Sequence, residues 1–107
     1  MNENQIPENK SQIKFAQWKD LDVLYYYVQQ DDLEINYRIR ISISDIPGIY
    51  RLDIYSRIFG DWSYEGYLVF CKDAIVAAYT FTGNIEYLKK IAERVFEKIM
   101  ERVSKNE

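Results

Sequence analysis

Arginine and tyrosine are the side chains with most chemistry to offer in this sequence, and their spacing is regular. In "INYRIRISISDIPGIYRLDIYSRIF", residues 35–59, polar and apolar positions alternate on both sides of a Pro-Gly pair. A period of two sends alternate side chains to opposite faces of a strand. One face is then almost all Ile and Leu, and the other carries Arg38, Arg40, Arg51, Tyr55 and Arg57. Guanidinium groups take carboxylate or phosphate in bidentate fashion and stack on aromatic rings. Phenol rings add a large contact area with a polar tip. This is the chemistry of recognition rather than of bond breaking.

The residue totals point the same way. The 107 residues include no histidine and only Cys71. That removes Ser-His and Cys-His nucleophile pairs, imidazole acid-base work and most zinc sites. Seventeen acidic residues are scattered without a pairing that spacing reveals. The reading is therefore a chain that is not an enzyme and needs no cofactor or metal. A net charge of −3 argues against a general polyanion binder, although local charge can override the total. Cys71, inside "GYLVFCK", reads as a small core residue in a reducing compartment.

Length and composition bound the elements that must position this face. One domain fits the chain, and ten tyrosines with 48% hydrophobic residues predict a folded, strand-rich molecule with an aromatic core. Residues 1–12 are polar and read as a flexible tail, leaving 13–107 as the domain. No run is long and apolar enough to span a bilayer or to serve as a signal core, so the expected address is cytoplasmic, with no membrane contact. The segment "IKFAQWKDLD" has no clean period and fits an edge strand or a helical turn.

The same alternation constrains strand register. "VLYYYVQQDDLEINYRIRISI" is dense in β-branched and aromatic residues, and Asp31-Asp32 offers a two-residue turn. That turn sets Val28 opposite Ile35, Tyr26 opposite Tyr37 and Leu24 opposite Ile39. A slip of one residue would swap the faces. A four-residue loop, Asp45 to Gly48, similarly sets Ile43 against Tyr50, Ile41 against Leu52, Ile39 against Ile54 and Arg40 against Asp53. Further on, "YLVFCKDAIVAAYTF" predicts a third hairpin turning at Lys72-Asp73, with Val69 facing Val76 and Phe70 facing Ile75. Both of its strands read as apolar on both faces, hence central or covered.

Asn84 caps a predicted helix over "NIEYLKKIAERVFEKIMERVSK", with apolar residues at steps of three and four and charges of both signs opposite. The fold class read from the sequence is α+β: an antiparallel meander of about five strands with one C-terminal helix packed on one face.

From Gly48 to about residue 90, the motifs "GIYRLDIY", "EGYLVFCKDAIVAAY" and "EYLKKI" resemble the PATAN-type module found with bacterial response regulators, and related small archaeal domains. Gly66, Leu68, Phe70, Ile75, Val76 and Ala78 occupy the places of that module's hairpin. The resemblance implies a regulatory or adaptor module that works by protein contact and has no catalytic residues.

Pairing the strands adds Tyr25 and Tyr27 to the arginine face. The candidate site is then Tyr25, Tyr27, Arg38, Arg40, Arg51, Tyr55 and Arg57, with Glu34, Asn36, Ser42 and Asp53 among them. Three readings fit it. A solvated face held by Tyr-Arg stacking and an Arg40-Asp53 pair needs no partner. A protein interface, with another protein or a second copy, suits Tyr and Arg, and Lys is absent from Asp20 to Cys71. A platform for single-stranded nucleic acid is the alternative. Trp62 and Tyr64, in the loop "FGDWSYEG", read as a lid folding back on the sheet edge.

Overall fold

The computed structural model describes residues 15–81 and 83–106. The predicted tail, 1–12, lies outside them. Five antiparallel strands run in sequence order, β1 (Trp18–Gln30), β2 (Leu33–Ser44), β3 (Ile49–Arg57), β4 (Ser63–Cys71) and β5 (Ala74–Thr80). Two helices come after them, α1 (Ile85–Arg94) and α2 (Phe96–Ser104).

The first two hairpins have the register that their apolar pattern demands. Val28, Tyr26 and Leu24 face Ile35, Tyr37 and Ile39. Ile43, Ile41 and Ile39 face Tyr50, Leu52 and Ile54. Asp31 sits at φ 55, the left-handed conformation that matches a tight hairpin to the strands' own twist. Trp18 already belongs to β1, so the ambiguous segment is strand from there on. One extra residue, Leu21, bulges out of β1, because Asp20 pairs with Ser42 while Asp22 pairs with Ile41. Asp20 and Asp22 would otherwise share a face; the bulge sends them to opposite ones.

The third hairpin departs from expectation in two ways. Phe70 does face Ile75, but the register shifts by one residue and Val69 meets Ala77 rather than Val76. Moreover β5 is an edge strand, and Ala74, Ile75, Ala78 and Tyr79 are exposed. The chain leaves β5 for the helices, so no strand covers its outer side. Gly66 makes the close β4–β5 approach possible. Its φ is +144, and a Cβ there would lie 2.1 Å from the Tyr79 carbonyl oxygen and 2.9 Å from Leu88 Cδ1.

The single predicted helix is two. Asn84 caps α1 by accepting a hydrogen bond from the Tyr87 N–H at 3.2 Å. At Val95 the backbone leaves the helical region (φ −115, ψ 12), its N–H reaching the Ala92 and Glu93 carbonyls. No Gly or Pro marks the break. Its physical reason is the sheet beneath. α1 packs on β4 and β5, α2 on β1, and the turn at Val95 swings the chain across the sheet while keeping Val95, Ile99 and Val103 buried.

Between sheet and helices lie Ile39, Ile41, Leu52, Ile54, Leu68 and Leu88, each at 0% exposure. Burial of such a side chain contributes about 1.5–3 kcal/mol. The expected aromatic core is thus a mixed one, these aliphatic side chains being buried together with Tyr37, Tyr50 and Phe70. Tyr50 stacks on Phe70 at 5.1 Å, and its hydroxyl donates to the Met100 sulfur at 3.2 Å. Tyr37 and Tyr87 share a hydrogen bond between hydroxyls, and burial raises both phenols above their ordinary value. Cys71, expected in the core, is a half-buried free thiol at the end of β4. Among the described residues no helix is long and apolar enough to cross a membrane.

Candidate functional site: an arginine and aromatic face

Strand pairing brings all seven predicted residues onto the face away from the helices. Across it run the rows Tyr27–Asn36–Arg57, Tyr25–Arg38–Tyr55, Val23–Arg40–Asp53 and Ser42–Arg51. β4 and β5 extend the rows, Tyr64 beside Tyr55, Tyr67 beside Asp53 and Tyr79 beside Tyr67. The side chains then divide this face into two halves.

In the first half the charges are already spent on one another. Arg51 holds Asp53 at 3.0 Å and lies 4.0 Å over the Tyr67 ring. The Tyr64 hydroxyl donates to Asp53 Oδ1 at 2.7 Å. Burial opposes the charge on Arg51, but the hydrogen bond and charge of Asp53 outweigh it, so the guanidinium is held more firmly charged than usual. Burial, and then the hydrogen bond to Asp53, push the Tyr64 phenol well up. Among these groups Val69 is 2% and Ser42 6% exposed.

Arg40 belongs to this half, with a different partner from the one the register implies. It faces Asp53 across the strands but pairs with Asp20, Nη2 to Oδ2 at 2.6 Å. The β1 bulge is the reason, since it delivers Asp20 to this face while Asp53 is taken by Arg51. The Arg40 hydrogen bond holds the Asp20 carboxyl below its ordinary value, against a smaller opposing effect of desolvation.

The second half is open. Arg38 lies 4.6 Å over the Tyr55 ring and 4.8 Å over Trp62, and Arg57 lies 4.5 Å over the same indole. Among the described residues neither arginine forms an ion pair. Tyr25 stands 6.3 Å from Trp62. Around this cluster Tyr25 is 69% exposed, Tyr27 55% and, in the β3–β4 loop, Phe59 83%. Trp62, read as a lid on the sheet edge, instead folds onto the face itself. Stacked guanidinium groups keep their N–H edges free, so this half offers two directed cations and a rim of rings to an incoming surface.

Alternation alone did not reveal the aromatic chain from Tyr55 through Tyr64, Phe81 and Tyr79 to Tyr67, with neighbouring rings 5.1–5.8 Å apart. A second bulge hides it. Ile54 pairs with Gly66 and Tyr55 with Tyr64, so Glu65 is the extra residue and the parity of β4 changes there. The only signal in the sequence was the pair of tyrosines in "SYEGY" on either side of Gly66. Among the described residues no three His, Cys, Asp or Glu side chains converge as a metal site would require. No protein-family model, no curated protein and no solved structure matches the chain.

Proposed function

We propose that this chain is a non-enzymatic protein-docking module, and that its partner is received on the open half of the face, by Tyr25, Tyr27, Arg38 and Arg57 around Trp62. The observation that carries this reading is the contrast in commitment. Arg40 and Arg51 are engaged by Asp20 and Asp53, whereas Arg38 and Arg57 are stacked on an indole beside two exposed tyrosines. Interfaces draw most of their energy from a few Tyr, Trp and Arg side chains at the centre of the contact. Here those types are already assembled and ordered by stacking, which lowers the entropy lost on binding. An adaptor role is also what the likeness to the PATAN-type module implies.

Single-stranded nucleic acid is the competing occupant, since sheet-borne rings can stack on bases. Charge argues against it. Two of the four arginines are neutralised in place, and binding to a polyanion draws on unpaired cations. The two readings separate in one pair of experiments. Fluorescence anisotropy with a labelled mixed-sequence oligonucleotide at low salt is expected to show no binding. Chemical cross-linking in extract of the native host is expected to give a discrete protein adduct that Trp62→Ala abolishes. Salt-sensitive oligonucleotide binding, or an adduct unchanged by Trp62→Ala, would refute the docking assignment.

A further inference from the structure

We propose that the partner received on the open half of the face brings a phosphate monoester, carried on one of its side chains, to Arg38 and Arg57 together; this rests on the docking function proposed above. The four arginines of the face divide by counter-ion. Asp20 serves Arg40 and Asp53 serves Arg51, one carboxylate to each guanidinium. Arg38 and Arg57 have none. Glu34 shares their side of the sheet and Asp61 adjoins Trp62 in the chain, yet among the described residues neither carboxylate forms an ion pair.

The two unpaired cations are neighbours. Arg38 faces Tyr55 and Arg57 faces Asn36 across β2 and β3, which makes the arginines a diagonal pair, about 7–8 Å apart at the backbone. One indole receives both, the Trp62 ring lying 4.8 Å from the Arg38 guanidinium carbon and 4.5 Å from that of Arg57. Two like charges gathered on one ring without a counter-ion repel each other. An anion from outside relieves that repulsion.

Charge count selects the anion. A carboxylate has one negative charge and satisfies one guanidinium, as Asp20 and Asp53 do on this same face. A phosphate monoester carries about −1.5 to −2 at pH 7 and three accepting oxygens, enough to take the N–H fork of each arginine at once. The exposed rings of Tyr25 and Tyr27 then offer contact area to the residue that bears the phosphate and to the chain around it. Two cations match one dianion better than a run of singly charged phosphodiesters, which favours a phosphorylated protein over nucleic acid.

Phenyl phosphate is the probe. Trp18 and Trp62 are the only tryptophans, so indole fluorescence in a Trp18→Phe chain reports Trp62 alone. Phenyl phosphate at low salt should change that signal saturably, and benzoate should bind more weakly by a factor on the order of ten. Arg38→Gln and Arg57→Gln, each checked for wild-type circular dichroism, should each weaken phenyl phosphate by a similar factor, while Arg40→Gln leaves it unchanged. Histidine is the one side chain whose ordinary titration falls between about pH 5 and 7, and this chain has none. Affinity should therefore rise as pH passes upward through about 6, where phosphate loses its second proton. Phosphatase treatment of native-host extract should abolish the cross-linked adduct, placing the phosphate on the partner protein. No saturable response to phenyl phosphate, equal binding of benzoate, an affinity flat across this pH range, or an adduct that survives phosphatase would overturn the phosphate assignment. The docking function would still stand in each case if Trp62→Ala abolished the adduct, and would fall by itself if it did not. Tighter, salt-sensitive binding of an oligonucleotide would overturn both.

Discussion

The sheet keeps both its faces partly dry, but by different means. On one side Ile39, Ile41, Leu52, Ile54 and Leu68 are shut from water by two helices. On the other, Val69 and Ser42 are almost as inaccessible, with only Arg51, Asp53, Tyr64, Tyr67 and their neighbours to cover them. The first cover is apolar and continuous. The second is a lattice of ion pairs, hydrogen bonds and stacked rings, and it stops short of Tyr25 and Tyr27. Long amphipathic side chains can close a sheet face where charge finds charge, and where it does not the face stays open.

The largest difference should appear in stability. Leu52→Ala, on the helix side, is expected to cost about 2–5 kcal/mol in chemical denaturation, since a fully buried leucine leaves a cavity that the packed core cannot refill. A loss under about 1 kcal/mol would mean that the helices close the face only loosely. Asp53→Ala attacks the other cover by freeing Arg51 and Tyr64 together, and about 1–3 kcal/mol is expected. Should it prove neutral, the lattice would be ornament rather than cover.

Titration sharpens the same contrast. The Asp20 carboxyl is held below its usual 3.8 by the Arg40 hydrogen bond, and that of Asp22 by the Val23 N–H and then Arg102. A depressed carboxyl stabilises the fold above its unfolded value, and that contribution is lost as pH falls through the folded one. Acid unfolding monitored below about pH 4 should therefore come earlier for native protein than the core alone implies, and Asp20→Asn with Asp22→Asn should flatten this limb. On the alkaline side the sign reverses. Burial raises the Tyr64 and Tyr87 phenols above 10, so their contribution is complete below about pH 10 and declines above it. Absorbance titration should find these two ionising above the ordinary phenol range.

The smallest effect belongs to the open half. Tyr25→Ala and Tyr27→Ala should each change stability by no more than about 0.5 kcal/mol, as exposed positions do. A larger loss would place them in the cover instead of the site.

How much of the molecule was legible in the sequence depends on where alternation runs unbroken. Along Val23–Val28, Ile35–Ile43 and Tyr50–Arg57 it does, and there both the pairing and the rows of the arginine face come from parity. Elsewhere backbone irregularities broke it, among them the bulge at Val76 that shifted the register of the third hairpin. The bulge at Leu21 gave Arg40 a different carboxylate, that at Glu65 concealed the aromatic chain on β4 and β5, and the break at Val95 made two helices of one. In each case tertiary packing selects the irregular residue, and neither Pro nor a turn dipeptide announces it. The edge position of β5 was missed for another reason. "AIVAAYT" is apolar enough to suit the interior, and whether a strand lies inside or at the rim is decided by its neighbours in space.

That the two halves of one face differ in purpose is tested most directly by quantitative capture of partner protein from native-host extract. Three immobilised chains are compared: wild type, Tyr25→Ala/Arg57→Ala, and Arg40→Gln. The Tyr25→Ala/Arg57→Ala chain should lose the captured protein while Arg40→Gln retains it. Retention by the first, or loss by the second, would contradict a division of the face into a closed half and a docking half.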